Sequence, residues 1–299
     1  MKTNDIFNFR RFGKYFSSDV RTCAANYGLS LLTISILAPV ATYAILSGIT
    51  FLVTGDWSGP GQGTRAVIFG MMMVCMIITM PVKCYGRLTE KQYGSFWLTL
   101  PASRLEKFIS MIVISCIIVP VAGLTLYLLT DSIICGIDAT CGKGLFALVT
   151  DYFRHANEFV DDIGGMLTLN MGHESIPVED PALSVDILRQ LNNPWLYIDD
   201  AFGITLPFIL GAIFFKNGKT VKTLLVMAAI GTALSMMSIP LMKNYFVEIA
   251  NSIDADTLIN NMLNNGFFKN LVLVDTLSDT IVNLAFMAGI WFRIKTLKH

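Results

Sequence analysis

The chain has 299 residues, with 22 Lys and Arg balanced by 22 Asp and Glu, and 54% of it is apolar against 15% charged. A mean hydropathy of +0.59 leaves too little polar sequence for a sizeable soluble domain. What remains is one membrane-embedded unit over 1–299.

In chain order, Phe9, Phe12, Phe16 and Val20 recur at helical spacing, with Arg10, Lys14 and Arg21 on the other side. This predicts an amphipathic elbow helix within 1–27, lying in the inner membrane interface. Six apolar stretches follow, near 28–53, 66–82, 108–129, 195–215, 221–242 and 271–292. A hydrocarbon core about 30 Å thick takes about 20 helical residues, and only helices satisfy their backbone groups in lipid without closing a barrel. The expected fold is therefore all-α, a polytopic membrane protein with six transmembrane helices. The first stretch is longer than the apolar region of a cleavable signal peptide, so the N-terminus is expected to be retained.

The basic residues set the orientation. Sixteen of the 22 fall on one face: Lys2, Arg10, Arg11, Lys14 and Arg21; Lys83, Arg87, Lys91, Arg104 and Lys107; Lys216, Lys219 and Lys222; Arg293, Lys295 and Lys298. Such a bias predicts that both termini are inside. Trp57, Trp97, Trp195 and Trp291 lie at or near the span ends, where amphipathic rings prefer to sit.

The inner connection 83–107 is patterned. Thr89 and Gln92 have the spacing of a capping box, so a helix is expected to begin there, with Tyr93, Phe96, Trp97 and Leu100 as its apolar stripe and Pro101 as its end. Ser103 and Glu106 make a second capping box opening the third span.

The run from Gly86 to Phe108 resembles the inner loop of type-2 ABC exporter permeases. An acidic residue precedes Gly-Ser, then come a Leu-Pro-x-Ser-Arg turn and a Lys entering the next span: Glu90, Gly94, Ser95, Leu100, Pro101, Ser103, Arg104 and Lys107. The resemblance implies a bacterial inner-membrane, multi-pass permease subunit. Its inner helix would dock on soluble ABC ATPase subunits that carry the ATP, beside a second permease chain, as homodimer or heterodimer. On that reading Glu90, Phe96, Trp97, Pro101 and Arg104 form the coupling site. Membrane lipid is an expected partner and nucleic acid is not. The chain departs from the pattern in one respect: its large outer insertion, 131–194, follows the third span, whereas the family usually carries one after the fifth.

That insertion holds ten acidic residues against three basic ones. Helices are predicted over Leu145–Ile163 and around Leu183–Leu191, separated by Gly164-Gly165 and by Pro177 and Pro181. Cys135 and Cys141 lie six residues apart, a spacing that suits either a disulfide or two free thiols. His155 and His173 lack metal-ligand spacing, and neither a metal nor a cofactor is expected in this chain. Gly218-Lys219-Thr220 is no P-loop, because Ile213 stands where the first glycine belongs. With no catalytic motif either, transport without an ATPase of its own is expected.

In the sixth span Asp275, Asp279 and Asn283 share a face, a candidate transport path. They also support an alternative, an ion-coupled secondary carrier; a membrane scaffold or sensor using the acidic outer insertion is another. Pro39, Pro120, Pro207 and Pro240 fall within spans and predict kinks. Five methionines crowd the second span as packing or lipid-facing residues.

Overall fold

The structure, a computed structural model, describes residues 7–147, 149–150, 169–170, 175–176, 194–251 and 267–297. It is all-helical apart from a two-residue antiparallel pair, β1 (Leu169–Asn170) with β2 (Ser175–Ile176). The helices are α1 (Phe9–Leu32), α2 (Ala38–Thr54), α3 (Gln62–Tyr85), α4 (Lys91–Thr99), α5 (Arg104–Val113), α6 (Val119–Ile137), α7 (Pro194–Phe214), α8 (Lys219–Asn251) and α9 (Phe267–Thr296). Every predicted apolar stretch falls mainly on these helices. Among the described residues four helical runs are long and apolar enough to cross a membrane: Phe9–Thr54, Gln62–Thr89, Arg104–Ile137 and Leu277–Thr296. By length and apolarity the chain is a membrane protein. The outer helices expected over 145–163 and 183–191 lie outside the described residues except for 145–147 and 149–150.

Contacts divide the chain into two compact units. One comprises Met1–Thr150, Ala201–Thr223 and Leu284–His299, the other Asp151–Asp200 and Leu224–Asn283. The first holds a core around Tyr27, Met76, Met80, Met111, Ile209 and Ile290. The second-span methionines divide accordingly: Met76 and Met80 are buried while Met71 is exposed.

No break separates elbow from span. Asn8 caps α1, its side chain accepting from Arg10 N and Arg11 N, and the helix continues for 46 residues, about 69 Å. It stops where Gly55 adopts φ +79° and its N–H bonds to Phe51 O.

Two π-helical segments interrupt these long helices, Thr33–Leu37 between α1 and α2 and Ile114–Ile118 between α5 and α6. Each precedes a proline by two residues, in Pro39-Val40-Ala41 and Pro120-Val121-Ala122. A proline ring has no N–H and collides with the carbonyl four residues back; a wider turn just before it relieves both problems. At Pro39 and Pro120 the expected proline effect thus takes the form of π turns, whereas Pro207 and Pro240 lie within the unbroken helices α7 and α8. The buried residues of the first run, Tyr15, Cys23, Tyr27, Ser35, Pro39 and Ser47, are all separated by multiples of four. The second run contains the same series, Lys107, Met111, Ser115, Val119, Gly123, Tyr127, Asp131 and Cys135, and buries Glu106, Ser110, Ile114 and Leu128 beside it. At Gly123 α6 meets α3 so closely that a Cβ would fall 2.2 Å from Met76 Sδ.

At one end of these helices an ion pair is fully enclosed. Arg65 Nη1 lies 2.7 Å from Asp131, and both side chains are almost wholly buried. Arg65 also donates to Cys141 O at 2.9 Å and Lys143 O at 2.8 Å, and Asp131 accepts from Leu145 N at 2.6 Å. Both charges therefore have hydrogen-bond partners besides each other, which a buried pair requires. Cys135 and Cys141 are free thiols, buried beside this pair.

Next to it, Asp138 accepts from the Thr140 hydroxyl at 2.6 Å, from the Tyr43 hydroxyl, from Thr140 N at 2.9 Å and from Trp57 Nε1 at 3.2 Å. These donors, the Thr140 hydroxyl foremost, hold its carboxyl well below the usual range, at about 2. A depressed folded pKa means that the clasp contributes fully above the ordinary value of 3.8 and is lost as pH falls through about 2. The Trp57 emission, obtained as the difference between the parent and Trp57→Phe, should therefore hold from neutral pH to about 4 and shift between about 4 and 2. Asp138→Asn should abolish that transition.

Candidate functional site

The first two turns of α5 gather most of the charged and polar contacts on the predicted inner face. Ser103 and Glu106 form the predicted capping box: Ser103 Oγ accepts from Glu106 N at 3.2 Å, and Glu106 accepts from Ser103 N at 2.8 Å. Glu106 does more than cap its own helix. It also accepts from Asn8 N at 2.8 Å and pairs with the Arg11 guanidinium at 2.8 Å, so one fully buried carboxylate closes the starts of both α5 and α1. Negative charge is favoured at both places by the helix dipole.

Lys107, 2% exposed, points the other way. Its ammonium donates to Trp97 O at 2.7 Å and Leu98 O at 3.3 Å, carbonyls that the end of α4 leaves without helical partners. It also lies 4.8 Å from the centre of the Trp97 ring. Arg104 donates to Lys295 O, 2.6 Å away, in the last turn of α9, and Phe108 meets Trp291 edge-on. Ser110 donates to Asp19 Oδ2 at 2.6 Å. Helices α1, α4 and α9 are thereby fastened to one short stretch of α5.

Helix α4 is a small strut held by this junction. The Thr89 capping box does not form. Thr89 closes the 3-10 turn Gly86–Thr89, its hydroxyl donating to Gly86 O at 3.0 Å and accepting from Lys219 Nζ at 2.9 Å. The helix begins instead at Lys91, with Glu90 extended before it and no side-chain cap. Lys219 also donates to Gly86 O, and burial lowers its pKa, opposed by nearby Glu90.

The predicted coupling residues are divided by this packing. Trp97, expected to reach a partner, is 4% exposed, with its indole N–H bonded to Tyr15 Oη at 3.1 Å. The apolar stripe of the sequence reading therefore splits: Trp97 packs inward with Tyr93 half-buried, and Phe96 stands 63% exposed. Glu90, Gln92, Phe96, Thr99 and Pro101 form the outward face of α4 and its ends, with Arg104 exposed beyond Pro101. Lys107 and Asn8 were not singled out for these roles. A Lys at the fourth helical position after a capping box is the signal that marks Lys107, but its target is visible only in three dimensions.

The candidate transport-path residues lie in the second unit. Asn283, 3% exposed, donates to Asp199 Oδ1 at 2.7 Å and Asp199 O at 2.9 Å, and Thr280 donates to Asp199 Oδ2 at 3.0 Å. Asp279 is half-buried on the same helix. The structure does not describe the Asp275 side chain. Among the described residues no cluster of His, Cys, Asp or Glu could hold a metal ion. Comparison with family models, with curated proteins and with solved structures finds no match for this chain.

Because Glu106 satisfies two helix starts and a guanidinium from a fully buried position, Glu106→Ala should lower stability by about 3 kcal/mol or more. Glu106→Gln, which keeps an acceptor, should lose clearly less. Thermal unfolding of the detergent-purified chain reads both.

Proposed function

We propose that this chain is the membrane permease subunit of an ATP-binding-cassette exporter, with six transmembrane helices and both termini inside. It moves its substrate across the cytoplasmic membrane of a bacterium, beside a second permease chain, using ATP hydrolysed by soluble subunits. One observation carries the reading: α4 presents an exposed Phe96 between Glu90 and Arg104 while its other face is fastened to α1 through Trp97 and its end to α5 through Lys107. A strut that is exposed on one side and clamped on the other to a membrane-length helix suits transmission of force from a soluble partner. The likeness of Gly86–Phe108 to exporter permeases supports the same role.

In this mechanism the ATPase grips Phe96 in an apolar groove and meets Glu90 and Arg104 with complementary charges. Its nucleotide-driven closure displaces α4. Lys107 and the Ser103–Glu106 cap pass that displacement into α5, α6 and, through Asn8 and Arg11, into α1.

A second reading, an ion-coupled carrier, is favoured by the Asp199–Thr280–Asn283 cluster, a polar group set among apolar helices. It requires transport without ATP and with pH dependence.

The test is co-purification of the tagged chain in mild detergent beside a Glu90→Arg, Phe96→Ala double variant. Both substituted side chains are exposed, so the variant should stay folded. A soluble P-loop ATPase recovered with the parent and reduced at least tenfold with the variant is the expected result. Equal recovery with both, or no ATPase with the folded parent, would overturn the reading.

A further inference from the structure

Beside the start of α1 lies a cavity of about 560 Å3, lined by Arg10, Arg11, Lys14 and Ser18 from the helix and by Leu100 and Pro101 from the turn after α4. Arg11 is neutralised by Glu106. Arg10 and Lys14 are not: among the described residues neither has a carboxylate partner and none that lines the cavity is acidic. They stand four residues apart on one helix face, where like charges repel, so an anion between them relieves a cost the empty site carries. The volume suits a small polar group rather than a single ion.

The surroundings say where that anion resides. Phe7, Phe9, Phe12 and Phe16 form a chain of ring contacts at the same end of the helix, and Phe9 is 83% exposed. Exposed aromatic rings next to cations, at the end of a membrane-length helix, place these turns at headgroup depth. We infer that this cavity binds the phosphate ester of an anionic phospholipid headgroup, held by Arg10 and Lys14, with the phenylalanines in the acyl-chain boundary. The site depends on the chain's being a membrane protein and not on the exporter reading.

The full-length chain in mild detergent is presented with phosphatidylglycerol, phosphatidylcholine or inorganic phosphate, and retention is read by native mass spectrometry. The parent should retain phosphatidylglycerol in preference to phosphatidylcholine. Arg10→Ala with Lys14→Ala should weaken that retention roughly thirtyfold, from about fivefold per cation near a membrane surface. Lys216→Ala, which removes an exposed cation elsewhere, should leave it unchanged, and matched thermal unfolding shows that the double variant is folded. Inorganic phosphate bound with the same dependence on Arg10 and Lys14, but without preference between the two lipids, would keep the phosphate chemistry and make its source soluble. Equal phosphatidylglycerol retention by parent and double variant, or no binding of either phosphate species by the parent, would overturn the inference.

Discussion

Glu106 is the interaction on which the first unit turns. A carboxylate with no solvent exposure is unfavourable unless every lone pair is used, and here two backbone N–H groups and a guanidinium use them. The two N–H groups belong to helices whose starts lie 95 residues or more apart in sequence, so satisfying one side chain fixes the approach of α1 to α5. Once α5 is placed, Lys107 closes the end of α4 and Arg104 reaches the end of α9. Helix ends leave donors at one terminus and acceptors at the other. In this junction three polar residues of one helical turn, Arg104, Glu106 and Lys107, answer those needs in neighbouring helices.

The two capping boxes show what could be read from residues alone. Ser103–Glu106 was legible because both of its bonds are local, three residues apart. Thr89–Gln92 has the same spacing and fails because Lys219, 130 residues downstream, claims the Thr89 hydroxyl. The aromatic stripe of α4 divides for a similar reason. Helical periodicity places Phe96 and Trp97 on adjacent sides, and only the Tyr15 hydroxyl and the Lys107 ammonium decide which side is covered. Long apolar runs were legible as helices because length and hydropathy are properties of the segment. The Arg65–Asp131 pair was not, since a lone Arg and a lone Asp 66 residues apart carry no mutual signal.

The two ends of the helices are secured by different chemistry. Around Arg65 and Asp131 the two charges face each other and surrounding backbone groups, and both are buried. Around α5 the charges serve helix termini, and several charged side chains stay exposed: Glu90 and Arg104 beside α4, Arg10 and Lys14 beside α1. A closed network supports structure, whereas a network with residual charge and an exposed aromatic ring is suited to meeting something else. That difference directs both the proposed coupling surface and the headgroup site to the same end of the molecule.

The π segments bear on how these helices tolerate changes in length. Removing one residue from an α-helix turns everything on one side of the deletion by about 100° relative to the other, which would carry a four-residue stripe of buried side chains into lipid. A π turn already contains one residue more than an α turn needs, so a deletion inside Thr33–Leu37 or Ile114–Ile118 returns that stretch to regular α geometry while the flanking faces keep their phase. Each long helix thus has one short window in which its register with the neighbouring helices is insensitive to the loss of a residue, set directly before the proline that makes the extra residue useful.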